Sequence, residues 1–351
     1  MITEYLPRLA ERRLEALGLS AAAFLLAGST LINPSSAAAA EDDAQDAAIS
    51  AVPYAVTTYN ILGSNHVETG REVGGSVKAR AERAVQYIIG KAGAPAPSDI
   101  VGVQELQSDQ WRMFNAMLPD RYDPIPKGHA TENSIYYNKD RFKLIKDGVV
   151  SYPYYSDVDM NGGRGKAIWA RFEDKQTGQT VSVFNTHPVA WNKTRGSDSG
   201  GAKKRLAASK DAIEWSNKTQ RTHPEDAVYI IGDMNSENVL VNHYDPFYDV
   251  QFKDRALRGD RNKLMYCLAT EPQTGLQDSH DMSRGVSGHC PTKQRGPDYK
   301  NVIDWVYTTP ENTRVLVWDH VKSGATRHAS DHYPVTTVNQ ATSSALKALQ
   351  D

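Results

Sequence analysis

The sequence predicts an α/β domain in which β-sheets pack face to face and helices cover their outer surfaces. Three observations carry that expectation. Short runs rich in Val, Ile, Tyr and Thr recur from Tyr54 onward, helical patterns fall between some of them, and no internal repeat or long linker interrupts the series.

The strand-like runs are "YAVTTYNIL", "DIVGVQEL", "NSIYYN", "AIWARFE", "TVSVFNTH", "AVYIIGD", "NVIDWVYT", "VLVWDHV" and "YPVTTV". Three helices are expected. "SVKARAERAVQYIIGKAG" closes on a glycine, "SDQWRMFNAML" opens on a Ser or Asp suited to cap it, and "GAKKRLAASKDAIEWSNK" spaces its apolar residues helically. "MNGGRGKA" and "KTRGSDSGGAKKR" read as glycine-rich basic loops. The chain has 351 residues, 40% hydrophobic and 23% charged, which suffices for one large core. Its net charge is −2, from 40 Lys+Arg against 42 Asp+Glu, which excludes a strong overall basic field. A polyanionic substrate would have to be met by a local patch.

The N-terminus reads differently. Arg12 and Arg13 precede the uncharged run "LGLSAAAFLLAGSTLI", and small residues follow, so residues 1–40 resemble a secretion signal cut after Ala38 or Ala40. The rival readings are a retained membrane anchor and an amphipathic cytosolic helix. Residues 41–52 are expected to form a flexible leader, residues 53–340 the main domain, and residues 341–351 a tail. The sequence implies no stable protein partner. Export would let Cys267 and Cys290, the only cysteines, pair across a Gly- and Pro-containing loop.

Polar residues of a restricted kind end the strand-like runs. "TTYN" delivers Asn60, "VGVQE" Glu105, "FNTH" His187, "IIGDMN" Asp233 and Asn235, and "SDH" Asp331 and His332. Asp304 stands inside the apolar "VIDWVY", where an unpaired carboxylate is costly. One such residue is explained by a cap or a turn; the recurrence at the ends of so many strands is not. Oxygen-rich side chains of this kind suit Mg²⁺, or Mn²⁺ or Ca²⁺, rather than zinc, and neither cysteine ligands nor an HExxH pattern points elsewhere. The chemistry that would use them is hydrolysis of a phosphate ester. A carboxylate takes the proton of water, histidines donate to phosphoryl oxygens or the leaving group, and Asp304 orients His332.

Taken in order, "TYN", "QE", "NTH", "GDMN", "IDWVY" and "SDH" resemble the endonuclease/exonuclease/phosphatase superfamily, from about Tyr54 to Val338. The resemblance implies a four-layer α/β/β/α sandwich, two central β-sheets flanked by helices, with one or two divalent metals at one end. It implies Glu105 as principal metal ligand, Asn60 beside it and Asp331 as a second ligand. Asp233 would handle the attacking water, and Asn235 would hold a phosphate oxygen. His187 and His332 would flank the scissile phosphate, with Asp304 behind His332. Glu132 is the candidate to orient His187, and Arg164 the candidate basic contact to substrate.

The fold leaves the ester open. A secreted nuclease is the first expectation, with "KARAER" and "KTRGSDSGGAKKR" as possible backbone tracks for DNA or RNA. A sphingomyelinase-like phospholipid phosphodiesterase or small-ester phosphatase is the second, with "VSYPYYSDVDM" as a candidate for transient membrane contact. A catalytically silent binding module is the third.

Overall fold

The computed structural model describes residues 52–66, 73, 75–128, 132–152, 166–189, 199–235, 265–270, 272–285, 303–323, 326 and 328–342. Twelve strands among them form two six-stranded sheets. The first sheet holds β11 (Thr313–His320), β12 (Val335–Ala341), β1 (Tyr54–Asn60), β2 (Ile100–Gln104), β4 (Ser134–Asn138) and β3 (Tyr122–Ile125), in that spatial order. The second holds β5 (Phe142–Ser151), β6 (Lys166–Asp174), β7 (Thr180–Thr186), β8 (Ala227–Asp233), β10 (Asp304–Thr308) and β9 (Gln277–Asp278). Both repeat one pattern of orientations. Every neighbouring pair is antiparallel except the central one, which is β1 with β2 in the first sheet and β7 with β8 in the second.

Period-two alternation sorts the side chains of these strands into three apolar layers. Tyr54 and Val56 of β1, Ile100 of β2, Val181 and Val183 of β7, Tyr229 and Ile231 of β8, and Val306 of β10 meet between the sheets. Their neighbours point outward. Tyr59, Val101 and Val103 pack under the helices α1 (Val77–Ile88) and α2 (Ser108–Met117), whereas Phe184, Ile230, Trp305 and Tyr307 pack under α3 (Ser199–Thr222) and α4 (Met265–Ala269). Helix, sheet, sheet, helix is the four-layer order expected. It also explains why β1, β2, β7, β8 and β10 are buried along their whole length, as strands covered on both faces must be.

Close approaches hold the layers in register. Gly102 faces Asn185 and Ile231 of the opposite sheet, and a Cβ there would come within 2.7 Å of both side chains. Asn185 uses that gap to donate to the carbonyls of Val103 (3.2 Å) and Ser134 (2.9 Å), while Gln104 donates to Asn185 Oδ1 at 2.7 Å. The buried hydroxyls of Tyr54 and Tyr229 bridge the sheets at 2.8 Å.

Local expectations need three amendments. β3, β5 and β9 join the strands read from sequence. The residue preceding α2 is Gln107, one earlier than the expected Ser or Asp, and its backbone N–H donates to Gln110 Oε1 at 3.3 Å. Tyr152, the first tyrosine of the proposed membrane-touching stretch, is fully buried and bonded to Thr186 Oγ1 at 2.7 Å. Residues 153–160 of that stretch, Arg164, residues 1–51 and residues 343–351 lie outside the described residues, as do Cys290 and the side chain of Cys267. A further short helix, α5, spans Ser279–Ser283. Among the described residues, no helix is long and apolar enough to cross a membrane.

Candidate active site

The two parallel strand pairs end at the same place. Asn60 is register partner to Gln104, so Glu105 follows immediately beyond β2; Thr186 is partner to Gly232, so His187 and Asp233 emerge side by side. Carboxyl ends of adjacent parallel strands are where open α/β sheets build sites, and here each sheet contributes one such pair. Gly232 is indispensable to the arrangement. Its φ is +147°, and a Cβ on it would lie 1.8 Å from the Thr186 carbonyl oxygen.

Backbone strain gathers at the same spot. Four non-glycine residues among those described have positive φ, and three of them, Leu62 (57°), Glu105 (60°) and Asn235 (44°), belong to these strand ends. Each such residue is costly unless its surroundings fix it, and such clusters characterise functional loops.

The side chains then converge. Asn60 Nδ2 donates to Glu105 Oε1 at 2.9 Å and to Asp233 Oδ2 at 3.1 Å, joining the two sheets through one amide. His187 Nε2 lies 3.3 Å from Asp233 Oδ2 and 4.0 Å from Glu105 Oε1. His332 Nε2 lies 3.7 Å from the same Asp233 oxygen, and its Nδ1 lies 2.8 Å from Asp304 Oδ2. Ser330 Oγ donates to the Asn60 carbonyl at 2.7 Å and accepts from His332 N at 3.1 Å, which seats the histidine against β1.

Electrostatics follow from burial and pairing. Burial raises Asp233's affinity for a proton, but His332, His187 and the Asn235 amide outweigh it and hold the carboxyl down at about 2. Glu105 is likewise held below its usual range, burial being overcome by His187, Asn60, the Gly63 amide and His332. Burial would depress both imidazoles, yet Asp233 and Glu105 lift His187 to about 9, and Asp304 and Asp233 lift His332 well above its usual value. Asp304 is raised to about 6, by burial and by Asp233. At neutral pH the site therefore carries ionised carboxylates beside protonated imidazoles.

The remaining expected residues divide. Asn235 is at the site, but its backbone N–H donates to Asp233 Oδ1 (2.8 Å) and its Nδ2 to the Pro188 carbonyl (2.8 Å), so it ties the ends of β7 and β8 together. Asp331 bears electrostatically on His332 and on the buried Arg80. The acid nearest the His187 ring is Asp233, and the Glu132 carbonyl accepts from Leu106 N at 3.0 Å. The basic stretch "KARAER" does not lie wholly outward. Arg80 is buried with Nη1 on the Leu62 carbonyl (2.9 Å), and Arg83 donates to the His328 carbonyl (2.9 Å). Sequence reasoning missed His66, whose Nε2 lies 3.6 Å from Glu105 Oε2; its only signal was its place shortly after the "TYN" motif.

The donor set is entirely oxygen and nitrogen, with two carboxylates kept ionised at the site's centre, and it fits a hard divalent cation. Asp233, Asp304 and His332 also present ligand atoms within 4.8 Å of one another, but the short His332–Asp304 contact is that of a hydrogen-bonded pair, which a proton already satisfies. A second such trio, Asp278, His280 and Asp281, stands where Asp278 caps α5 by accepting from His280 N at 3.3 Å.

No family model and no curated protein sequence matches the chain. Solved structures do. An endonuclease/exonuclease/phosphatase family protein from Bacteroides thetaiotaomicron is similar at 20% identity over 82% of this chain and 95% of its own, with a TM-score of 0.51. The human Nocturnin catalytic domain is similar at 15% identity over 83% of this chain and 95% of its own, with a TM-score of 0.54. A Bacteroides vulgatus endonuclease/exonuclease/phosphatase is similar at 18% identity over 83% of this chain and all of its own, with a TM-score of 0.50. The fold is thus the sandwich found in endonuclease/exonuclease/phosphatase proteins, the superfamily that the motifs resemble.

Proposed function

We propose that the chain is a divalent-metal-dependent phosphoesterase whose substrate is a nucleic-acid phosphodiester. One observation carries the reading: the Asn60 amide donates to Asp233 Oδ2, and the Nε2 atoms of His187 and His332 stand 3.3 and 3.7 Å from the same oxygen. Donors gathered around one buried anionic oxygen suit a second anion, and a phosphoryl group entering beside Glu105 would draw them off the carboxylate.

The roles follow. Glu105 and Asn60 would hold the cation, with Asp331 a candidate for further coordination, and the bound ion would neutralise charge on the phosphoryl oxygens. Asp233, ionised and relieved of its donors, accepts the proton of the attacking water. His187, protonated at neutral pH, donates to a phosphoryl oxygen, and the second N–H of the Asn235 amide is a candidate for another. His332, kept protonated by Asp304, protonates the departing oxygen. An alkoxide leaving group needs that proton, whether it departs from a diester or from an alkyl monoester. The signal-like N-terminus supports a secreted enzyme.

The test incubates purified residues 41–351 with plasmid DNA, RNA, sphingomyelin and small phosphate esters, with Mg²⁺ or Mn²⁺ and with chelator. Chelator-sensitive cleavage of nucleic acid is expected. Release of choline phosphate alone would redirect the reading to lipid, and no turnover of any substrate would leave a binding module.

A further inference from the structure

His66 closes a single 3-10 turn, Ser64–His66, that follows β1. The turn is fixed from two helices. Ser64 N donates to Gln110 Oε1 (2.9 Å) and Ser64 Oγ to Asp109 Oδ1 (2.7 Å), both on α2. Gln110 Nε2 and, from α1, the buried Arg80 Nη1 both donate to the Leu62 carbonyl, at 3.0 and 2.9 Å. His66 N donates back to the Gly63 carbonyl at 3.0 Å, and Gly63 N donates to Glu105 Oε2 at 3.0 Å. A histidine merely exposed on a surface turn needs none of this support.

The result is a bracket around one carboxylate. Glu105 Oε1 faces Asn60 and His187, while Oε2 faces Gly63 N and His66 Nε2 at 3.6 Å. The side chains of His66 and Glu105 remain 28% and 20% exposed, so an ion can reach both. Atoms 3.6 Å apart fall within the span of one cation bonded at about 2.1 Å to each.

We propose that His66 supplies a nitrogen ligand, next to Glu105, to the divalent cation of the site, and so biases the site toward Mn²⁺ or Co²⁺ over Mg²⁺. The inference rests on the phosphoesterase reading above, in which Glu105 holds the metal. Neutral imidazole offers one ring lone pair, and nitrogen donors favour transition ions, whereas Mg²⁺ keeps to oxygen.

The experiment is calorimetric titration of substrate-free protein with Mn²⁺, Co²⁺ and Mg²⁺, for wild type, His66→Ala, His66→Gln and Glu105→Gln, each checked for an unchanged melting temperature without metal. His66→Ala is expected to weaken Co²⁺ and Mn²⁺ about tenfold or more and Mg²⁺ less than about twofold, as loss of an imidazole nitrogen ligand requires. His66→Gln should bind Mg²⁺ as wild type does without recovering Co²⁺. An unchanged ratio of Co²⁺ to Mg²⁺ affinity in His66→Ala, with Glu105→Gln defective for all three ions, overturns the role of His66 and leaves the metal reading intact. Full binding by Glu105→Gln overturns that reading itself.

Discussion

Asp233 and Asp304 stand directly opposite each other across the antiparallel pair β8/β10, two buried carboxylates in one register position. Like charges so placed repel, and the protein resolves the conflict unequally. Asp233, surrounded by imidazoles and the Asn235 amide, stays ionised at about 2, while Asp304 rises to about 6 and faces His332. One strand pairing thus yields a base and an orienting acid with separated proton affinities, the pattern expected of acid–base chemistry.

Replacing Asp304 by Asn should lower turnover about 10²–10⁴-fold, as loss of an orienting acid does elsewhere. The pH profile adds the diagnostic. Burial pushes the His332 ring down and Asp304 is the strongest group holding it up, so the variant loses the His332 proton at lower pH. The alkaline limb of its rate profile should move to lower pH. A limb left in place would mean that Asp304 does not govern His332.

Glu105 and metal can be read without substrate. Saturating Mg²⁺, at about 100 times its dissociation constant, should stabilise the wild-type fold by about 2.7 kcal/mol, seen as a rise in Tm that chelator reverses. Glu105→Gln should melt at the same temperature with and without metal. A metal-dependent rise retained in that variant would remove Glu105 from the ligand set.

Gly232→Ala places a methyl group 1.8 Å from the Thr186 carbonyl oxygen, at φ +147°. Neither backbone can give way without parting β7 from β8. The expected cost exceeds about 4 kcal/mol, read as a collapse of the denaturant midpoint or as failure to fold. A midpoint within about 1 kcal/mol of wild type would show that the two strands do not meet as described.

His320 provides a pH test away from the metal. Burial, then Lys322 and His332, lowers its ring from 6.5 to about 4. A histidine with a depressed folded value contributes stability that is complete above about pH 6.5 and is lost as pH falls toward 4. Asp304, with its raised value, acts in the opposite sense over much of that window, so the wild-type curve alone is uninformative. The difference between wild type and His320→Phe isolates the contribution of His320: it should change by at most about 1.4 kcal/mol per pH unit between 6.5 and 4, wild type losing more on acidification. Parallel stability curves would contradict it.

The central strands and the polar residues that end them are legible because apolar runs broken by Asn, Glu, His and Asp advertise both burial and exit. β5 escapes notice because "FKLIKDGVVS" is a mostly exposed edge strand rich in charge. β3 carries Pro124, which weakens any strand pattern, and β9 is two residues long. The site's less legible features are non-local. The opposition of Asp233 and Asp304 depends on strand register across 70 intervening positions. The approach of His66 to Glu105 depends on α1 and α2, and the inward turn of Arg80 depends on a carbonyl, Leu62, that no sequence motif reveals.

The matched orientation pattern of the two sheets has a consequence for biogenesis. Asn60 and Glu105 come from one sheet, His187, Asp233 and Asp304 from the other, so neither half alone holds a working centre. On the reading proposed above, hydrolytic capacity would require both sheets in place, the first of them joining strands from both ends of the described chain.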